Sequence, residues 1–205
     1  MADTIFPFDS NITHEQRKKV MVQEPRLVWL TGLSGSGKTT IALRLEHYFF
    51  SKGFKVFILD GDNVRNGLCS DLGFSENDRK ENLRRVAEVA RLMMDAGLIV
   101  ICAFISPCAE DRMAIKKIVG EKMFIEVYVS CPVEICEERD VKGLYAKARK
   151  GVIPNFTGIS ALYDPPLSPD LKLRTSEETV EESVLKIIRF VEPVITIDRH
   201  KTTKL

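Results

Sequence analysis

No stretch of this chain approaches the roughly 20 consecutive apolar residues of a membrane-crossing helix, so a membrane protein is not expected. Its first residues, MADTIFPFDS, lack the basic start and apolar run of a secretory signal. Histidine is scarce: His14, His47 and His200 are scattered, and none stands near a cysteine pair. The five cysteines, Cys69, Cys102, Cys108, Cys131 and Cys136, contain no C-x-x-C, so no zinc constellation is expected. An odd number of thiols, one inside the apolar run around Cys102, reads as reduced, buried sulfur in a cytoplasmic protein. An excess of either charge is also missing. Thirty Lys and Arg against 29 Asp and Glu leave +1, far from the strongly basic balance of a general nucleic-acid binder.

What is present is a phosphate cradle. Gly32-Leu33-Ser34-Gly35-Ser36-Gly37-Lys38-Thr39 fits G-x-x-x-x-G-K-[ST], follows the apolar run Leu27-Val28-Trp29-Leu30 and precedes a helix-like segment. Glycines let backbone N–H groups converge on an anion, and the following helix adds its positive dipole end. Lys38 would reach the β- and γ-phosphates, and the Thr39 hydroxyl would help hold Mg²⁺. Binding of a nucleoside triphosphate follows.

Around this loop, short apolar runs alternate with helical periodicity. Strands are expected at 27–31, 55–59, 98–105, 124–129 and 171–174, with helices at 39–51, 76–96, 109–119, 133–140 and after 179. Ser75 and Asp78 have the spacing of a helix cap, and Thr175 and Glu178 that of a second. The expectation is one α/β domain of three layers, of the P-loop NTPase type, with a mostly parallel five-stranded sheet and a helical and loop lid. Residues 1–24 read as a polar N-terminal arm, 25–190 as the domain with its lid at about 141–170, and 191–205 as a loose C-terminal tail.

In such sheets ligands sit beyond the carboxyl ends of the strands. The phosphate loop, Asp60-Gly61-Asp62 and Ile105-Ser106-Pro107 all map there. Asp62 could accept a proton from an attacking hydroxyl, position that hydroxyl, or bind Mg²⁺; Asp60 could instead anchor the loop. Arg79 and Asn82 each precede an apolar-stripe residue by four, so they continue that stripe toward the helix start. They either serve a bound anion or protrude into water. Arg84 and Arg85 lie off this line and are expected to be solvated or paired with Glu81 or Glu88. Lys142, Lys147 and Arg149, in the lid, could neutralise moving charge. Phe74 and Phe156 could stack on a base or lie in the core.

Six segments together resemble the adenylylsulfate kinase family: TGLSGSGKTT (31–40), LDGDNVR (59–65), LGFSENDRKENLRR (72–85), FISP (104–107), ERDVKGLYAKAR (138–149) and NFTGI (155–159). The resemblance implies transfer of the ATP γ-phosphoryl to the 3′-hydroxyl of adenosine 5′-phosphosulfate (APS) in sulfate assimilation, with Mg²⁺, by a homodimer. It implies that Gly32 to Thr40, with Lys38 and Thr39 central and Thr40 included, hold ATP. Asp62 would engage the 3′-hydroxyl, or the metal together with Thr39. Arg65, Arg79 and Asn82 would bind the phosphosulfate and ribose, and Phe74 and Phe156 would sandwich the adenine. Ile105, Ser106, Lys142, Leu144 and Thr157 would complete the acceptor pocket. Ser106 matches a serine described in some members as a phosphorylated intermediate, although direct transfer needs none. The family commonly has an aromatic and a basic residue where this chain has Cys108 and Ala109. Another small-metabolite or nucleoside kinase, or an ATP-gated binding module, remains the alternative on fold alone.

Overall fold

The computed structural model describes residues 10–197. Five strands form one sheet: β1 (Leu27–Thr31), β2 (Val56–Asp60), β3 (Ile99–Phe104), β4 (Phe124–Ser130) and β5 (Leu171–Arg174). Their spatial order is β2-β3-β1-β4-β5, and every pairing is parallel. Helices cover both faces, as parallel sheets require: α1 (His14–Met21), α2 (Lys38–Ser51), α3 (Gly61–Arg65), α4 (Glu76–Asp95), α5 (Ala109–Val119), α6 (Val133–Arg139), α7 (Leu144–Arg149) and α8 (Val180–Ile195). None of these helices is long and apolar enough to cross a membrane.

Strand alternation builds the three layers. Val28 and Leu30 point toward α2 and α8, packing with Ile41, Leu45, Phe49 and Ile187. Leu27 and Trp29 point the other way, toward α4 and α5, where Val86, Ala90 and Ile115 are buried. Trp29 stacks on Phe104 at 5.3 Å between ring centroids. A third, smaller cluster joins the lid to the phosphate loop: Cys131, Cys136, Tyr145, Ala148 and Phe156, with Leu33 packed against it.

Two expectations need correction, and the polar arm gains structure of its own. Part of the N-terminal arm is ordered: Thr13 and Gln16 form a complete capping box at α1, and the buried Gln23 amide donates to the Lys55 and Gly97 carbonyls. The cap of α8 is Thr179 with Glu182, not Thr175 with Glu178. Thr175 instead donates to the Ser36 carbonyl, which braces the phosphate loop, and Glu178 accepts from the Arg174 amide. The chain also remains helical to Ile195, past the expected start of the tail, because Val191 and Ile195 are buried against the sheet. Residues 198–205 of that tail, and 1–9 of the arm, lie outside the described residues.

Candidate active site

The β1 carboxyl end lies where the chain crosses from one side of the sheet to the other, and the phosphate loop leaves from there. Gly35 has φ +75°, and a side chain on it would meet the Cys136 carbonyl at 2.8 Å, so both the conformation and the close approach require glycine. Gly37 caps α2 with φ +100° and no side-chain bond, leaving the first N–H groups of the helix free. Lys38 is buried, its Nζ donating to the Gly32 and Leu33 carbonyls at 2.9 and 2.7 Å. Burial pulls its pKa down to about 8, and nearby Asp60 and Asp62 oppose this. Thr39 and Thr40 begin α2 with exposed side chains.

The acidic pair divides its work. Asp60, at the end of β2, accepts from the Thr39 hydroxyl at 2.9 Å and, through its other oxygen, from the Asp62 amide at 3.0 Å. Asp62 reaches across to the lid, where its carboxylate is paired with the Lys142 ammonium. Of the two residues expected at a metal, Thr39 bonds to Asp60 and Asp62 to the lid. No group of three or more His, Cys, Asp or Glu among the described residues could cage a metal by itself. A hydroxyl and one carboxylate suit Mg²⁺, which binds through few protein oxygens plus substrate phosphates.

The acceptor-side residues gather at the start of α4. Ser75 caps that helix as expected, accepting from the Asp78 amide. The Arg79 guanidinium donates to the carbonyls of Phe74 and Asn155 and to the Thr157 hydroxyl, so it ties the α4 start to the lid. Arg65 lies over the Phe74 ring, its Cζ 4.4 Å from the centroid, and donates to the Gly73 carbonyl. Burial first, and the Arg65 charge second, lower the Arg79 pKa. Among the described residues neither guanidinium has a carboxylate partner. Beside them Asn82 is 3% exposed, and its Oδ1 has no hydrogen-bond partner. Two guanidiniums without a carboxylate and an orphaned amide oxygen are chemically suited to an anion that also carries a donor.

Phe74 is exposed, whereas Phe156 is buried edge-on against Tyr145 at 5.0 Å. Phe156 thus belongs to the lid cluster in this state, and only Phe74 presents an open ring. Leu144 is half-buried beside it in the same cluster. Arg149 is drawn away from the crevice by a bidentate pair with Glu137. Arg84 and Arg85 pair with Glu81, and Arg85 also with Asp71.

Ser106 is not arranged as a nucleophile. Its hydroxyl is 2% exposed, accepts from the Trp29 indole at 3.0 Å and donates to the Thr31 hydroxyl at 2.8 Å. Among the described residues no His, Asp, Glu or Lys hydrogen-bonds to its hydroxyl, and its backbone takes the left-handed φ of 39°. Ser106 shapes the turn that presents Ile105.

A family model described as adenylylsulphate kinase matches residues 24–174. The chain belongs to the adenylylsulphate kinase family. The adenylyl-sulfate kinase of Shewanella pealeana is 50% identical over 204 residues, covering 100% of this chain and 99% of that protein. That of Staphylococcus epidermidis is also 50% identical, over 90% of this chain and 92% of its own. Among solved structures, the APS kinase of Mycobacterium tuberculosis in complex with AMPPNP and APS has a TM-score of 0.80 at 46% identity, covering 82% of this chain and 98% of that one.

Two polar residues that brace the walls of this adenylylsulphate kinase have weak signals in the sequence. Asp60 read as a loop anchor because its Thr39 partner is 21 positions away. Arg112, which is 4% exposed, belongs to no motif. The available signal was its spacing: Arg112, Ile115 and Val119 share the buried face of α5, the same pattern that marked Arg79 and Asn82 on α4.

Proposed function

We propose that the chain moves the γ-phosphoryl of ATP to the 3′-hydroxyl of APS, giving ADP and 3′-phosphoadenylyl sulfate. The observation that carries this reading is one crevice with a phosphate cradle at one wall and, at the other, two unpaired guanidiniums beside an orphaned buried amide. APS matches that second wall: its phosphosulfate supplies the anion for Arg65 and Arg79, and its ribose supplies a hydroxyl to Asn82. Its adenine has the Phe74 face available, and the lid segment at Phe156–Thr157 lies within reach of the same Arg79.

In this mechanism the amides of Ser34 to Thr39 and the α2 start hold the ATP phosphates. Lys38 exchanges the Gly32 and Leu33 carbonyls for β- and γ-phosphate oxygens, where its charge follows the migrating group. Asp62 orients the 3′-hydroxyl and accepts its proton, while Lys142 leaves the Asp62 carboxylate for the phosphoryl oxygens. Thr39 and Asp60 are the residues that would hold Mg²⁺ brought in with ATP, and the ion would supply neutralisation of phosphate charge. Ile105, Leu144 and Thr157 complete the walls, and lid closure excludes water as a competing acceptor. The same reading includes a cytoplasmic setting, supported by five free thiols, and a homodimer, supported by family resemblance.

The test is an acceptor panel. Purified protein with Mg-ATP should release ADP when offered APS and stay near background with AMP, gluconate or nucleosides. ADP release driven by any of those in place of APS would contradict the proposal.

A further inference from the structure

The buried Arg112 has no part in the chemistry proposed above, yet both of its Nη atoms donate hydrogen bonds and its Nε stands beside a carboxylate. Nη1 donates to the Ser106 carbonyl at 2.8 Å, Nη2 donates to the Asp164 carbonyl at 2.7 Å, and Nε pairs with the Glu126 carboxylate on β4 at 2.9 Å. The Tyr163 ring lies 5.9 Å from its Cζ. A side chain this buried needs a specific reason, because desolvating a guanidinium is expensive unless all its donors are satisfied.

The three partners belong to three different pieces of the molecule. Ser106 is the strained corner of the turn after β3, and a non-glycine residue at φ 39° persists only when its surroundings over-determine it. Here they do: Trp29, Thr31 and Arg112 each hold one atom of Ser106. Asp164 lies on the return leg of the lid, and its amide donates to the Pro107 carbonyl at 2.8 Å, so this leg is fastened to the same turn twice. Tyr163 adds a third tie through its hydroxyl, 3.0 Å from that of Thr31. Glu126 supplies the counter-charge beside Nε without a hydrogen bond to its Oε1.

Elsewhere the lid rests on groups that the proposed ligands would contact. Lys142 rests on Asp62, Asn155 and Thr157 on Arg79, and Tyr145 on the Ser34 carbonyl of the phosphate loop. Those ties must rearrange when nucleotides enter. The Arg112 ties need not, since Ser106, Asp164 and Glu126 are not hydrogen-bonded to the phosphate loop, to Asp62 or to Arg79. They form the fixed root about which the rest of the lid closes.

We propose that Arg112 is a positioning residue for the acceptor: it locks the Ile105–Ser106–Pro107 wall to the lid root at Tyr163–Asp164, so that wall and lid meet in register around APS. The inference rests on the APS kinase reading. Arg112 touches neither the Lys38 nor the Thr39 side of the crevice, so its effect falls on the acceptor and spares ATP.

Steady-state kinetics on three variants test this. Arg112→Lys keeps the charge beside Glu126 but cannot span three partners, and it is expected to raise the KM for APS about tenfold with the KM for ATP within twofold. Glu126→Gln removes the ion pair and leaves both carbonyl bonds, and it is expected to keep the KM for APS within twofold of wild type. The double variant Arg112→Gln, Glu126→Gln leaves no buried unpaired ion, so it folds even if the single lysine variant does not, and it should show the same acceptor-selective rise. Equal rises in both KM values, no rise in either arginine variant, or a Glu126→Gln effect matching that of Arg112→Lys would overturn the proposal. If wild type itself released no ADP with APS, the kinase reading would fail first, and the two failures are thereby separated.

Discussion

Lys38 stands in the ligand-free protein in a state that nucleotide should reverse. Burial holds its pKa near 8 against an ordinary 10.5, so between those values the folded chain carries fewer protons than the unfolded one. Its contribution therefore opposes folding fully below about pH 8, and the opposition fades as pH rises toward 10.5. Phosphate oxygens favour the ammonium and raise this pKa again. At pH 9, where ATP phosphates are fully ionised, ATP binding should take up about one proton, read by calorimetry in two buffers of different ionisation enthalpy. A binding enthalpy independent of buffer would remove this role from Lys38. Asn82 presents the complementary case of an unmet hydrogen bond. Asn82→Leu removes the orphaned Oδ1, so the free protein should gain about 1 kcal/mol in urea unfolding while the KM for APS rises about tenfold. A destabilised variant with an unchanged KM would contradict the assignment. At this scale the residues with a local signature were legible, those in the glycine-rich loop and those continuing an apolar stripe. Asp60, Lys142 and Arg112 were less so in their actual roles, because their partners Thr39, Asp62 and Asp164 are distant in sequence and only tertiary packing chooses them.

Elements followed the sequence wherever burial enforces a period. The strand through Ile99–Phe104 is buried at every position and reads as an unbroken apolar run. The α4 stripe Leu83, Val86, Ala87, Ala90 and Met94 is the buried face in the structure. By contrast α1 buries none of its residues, so no apolar stripe existed to reveal it, and only its Thr13–Gln16 box marks the start. The misassigned cap of α8 has a similar origin. Thr175–Glu178 and Thr179–Glu182 have identical spacing, and only the second stands where the chain turns into Val180, Ser183 and Ile187. Thr179→Ala should therefore lower stability by about 1 kcal/mol in denaturant unfolding, with KM for ATP and APS unchanged. A stability equal to wild type would show that the box contributes nothing at this helix.

At the scale of the molecule, a parallel sheet with both faces covered brings the ends of β1, β2 and β3 to one crevice, which let a motif at one strand end locate groups at the others. The lid was legible as a segment of weak periodicity but not in its closure. Its packing arises from Tyr145, Phe156 and Leu33, which meet only in three dimensions. In the proposed reaction phosphate passes directly from ATP on the loop to a sugar hydroxyl held opposite, with no relay through Ser106. A single-turnover experiment with enzyme-bound ATP, offered APS or its 3′-deoxy analogue, tests this most directly. Direct transfer yields one ADP per site with APS, and with the analogue only background hydrolysis and no phosphorylated protein. Rapid ADP formation with the 3′-deoxy analogue, or phosphate retained on Ser106, would contradict it.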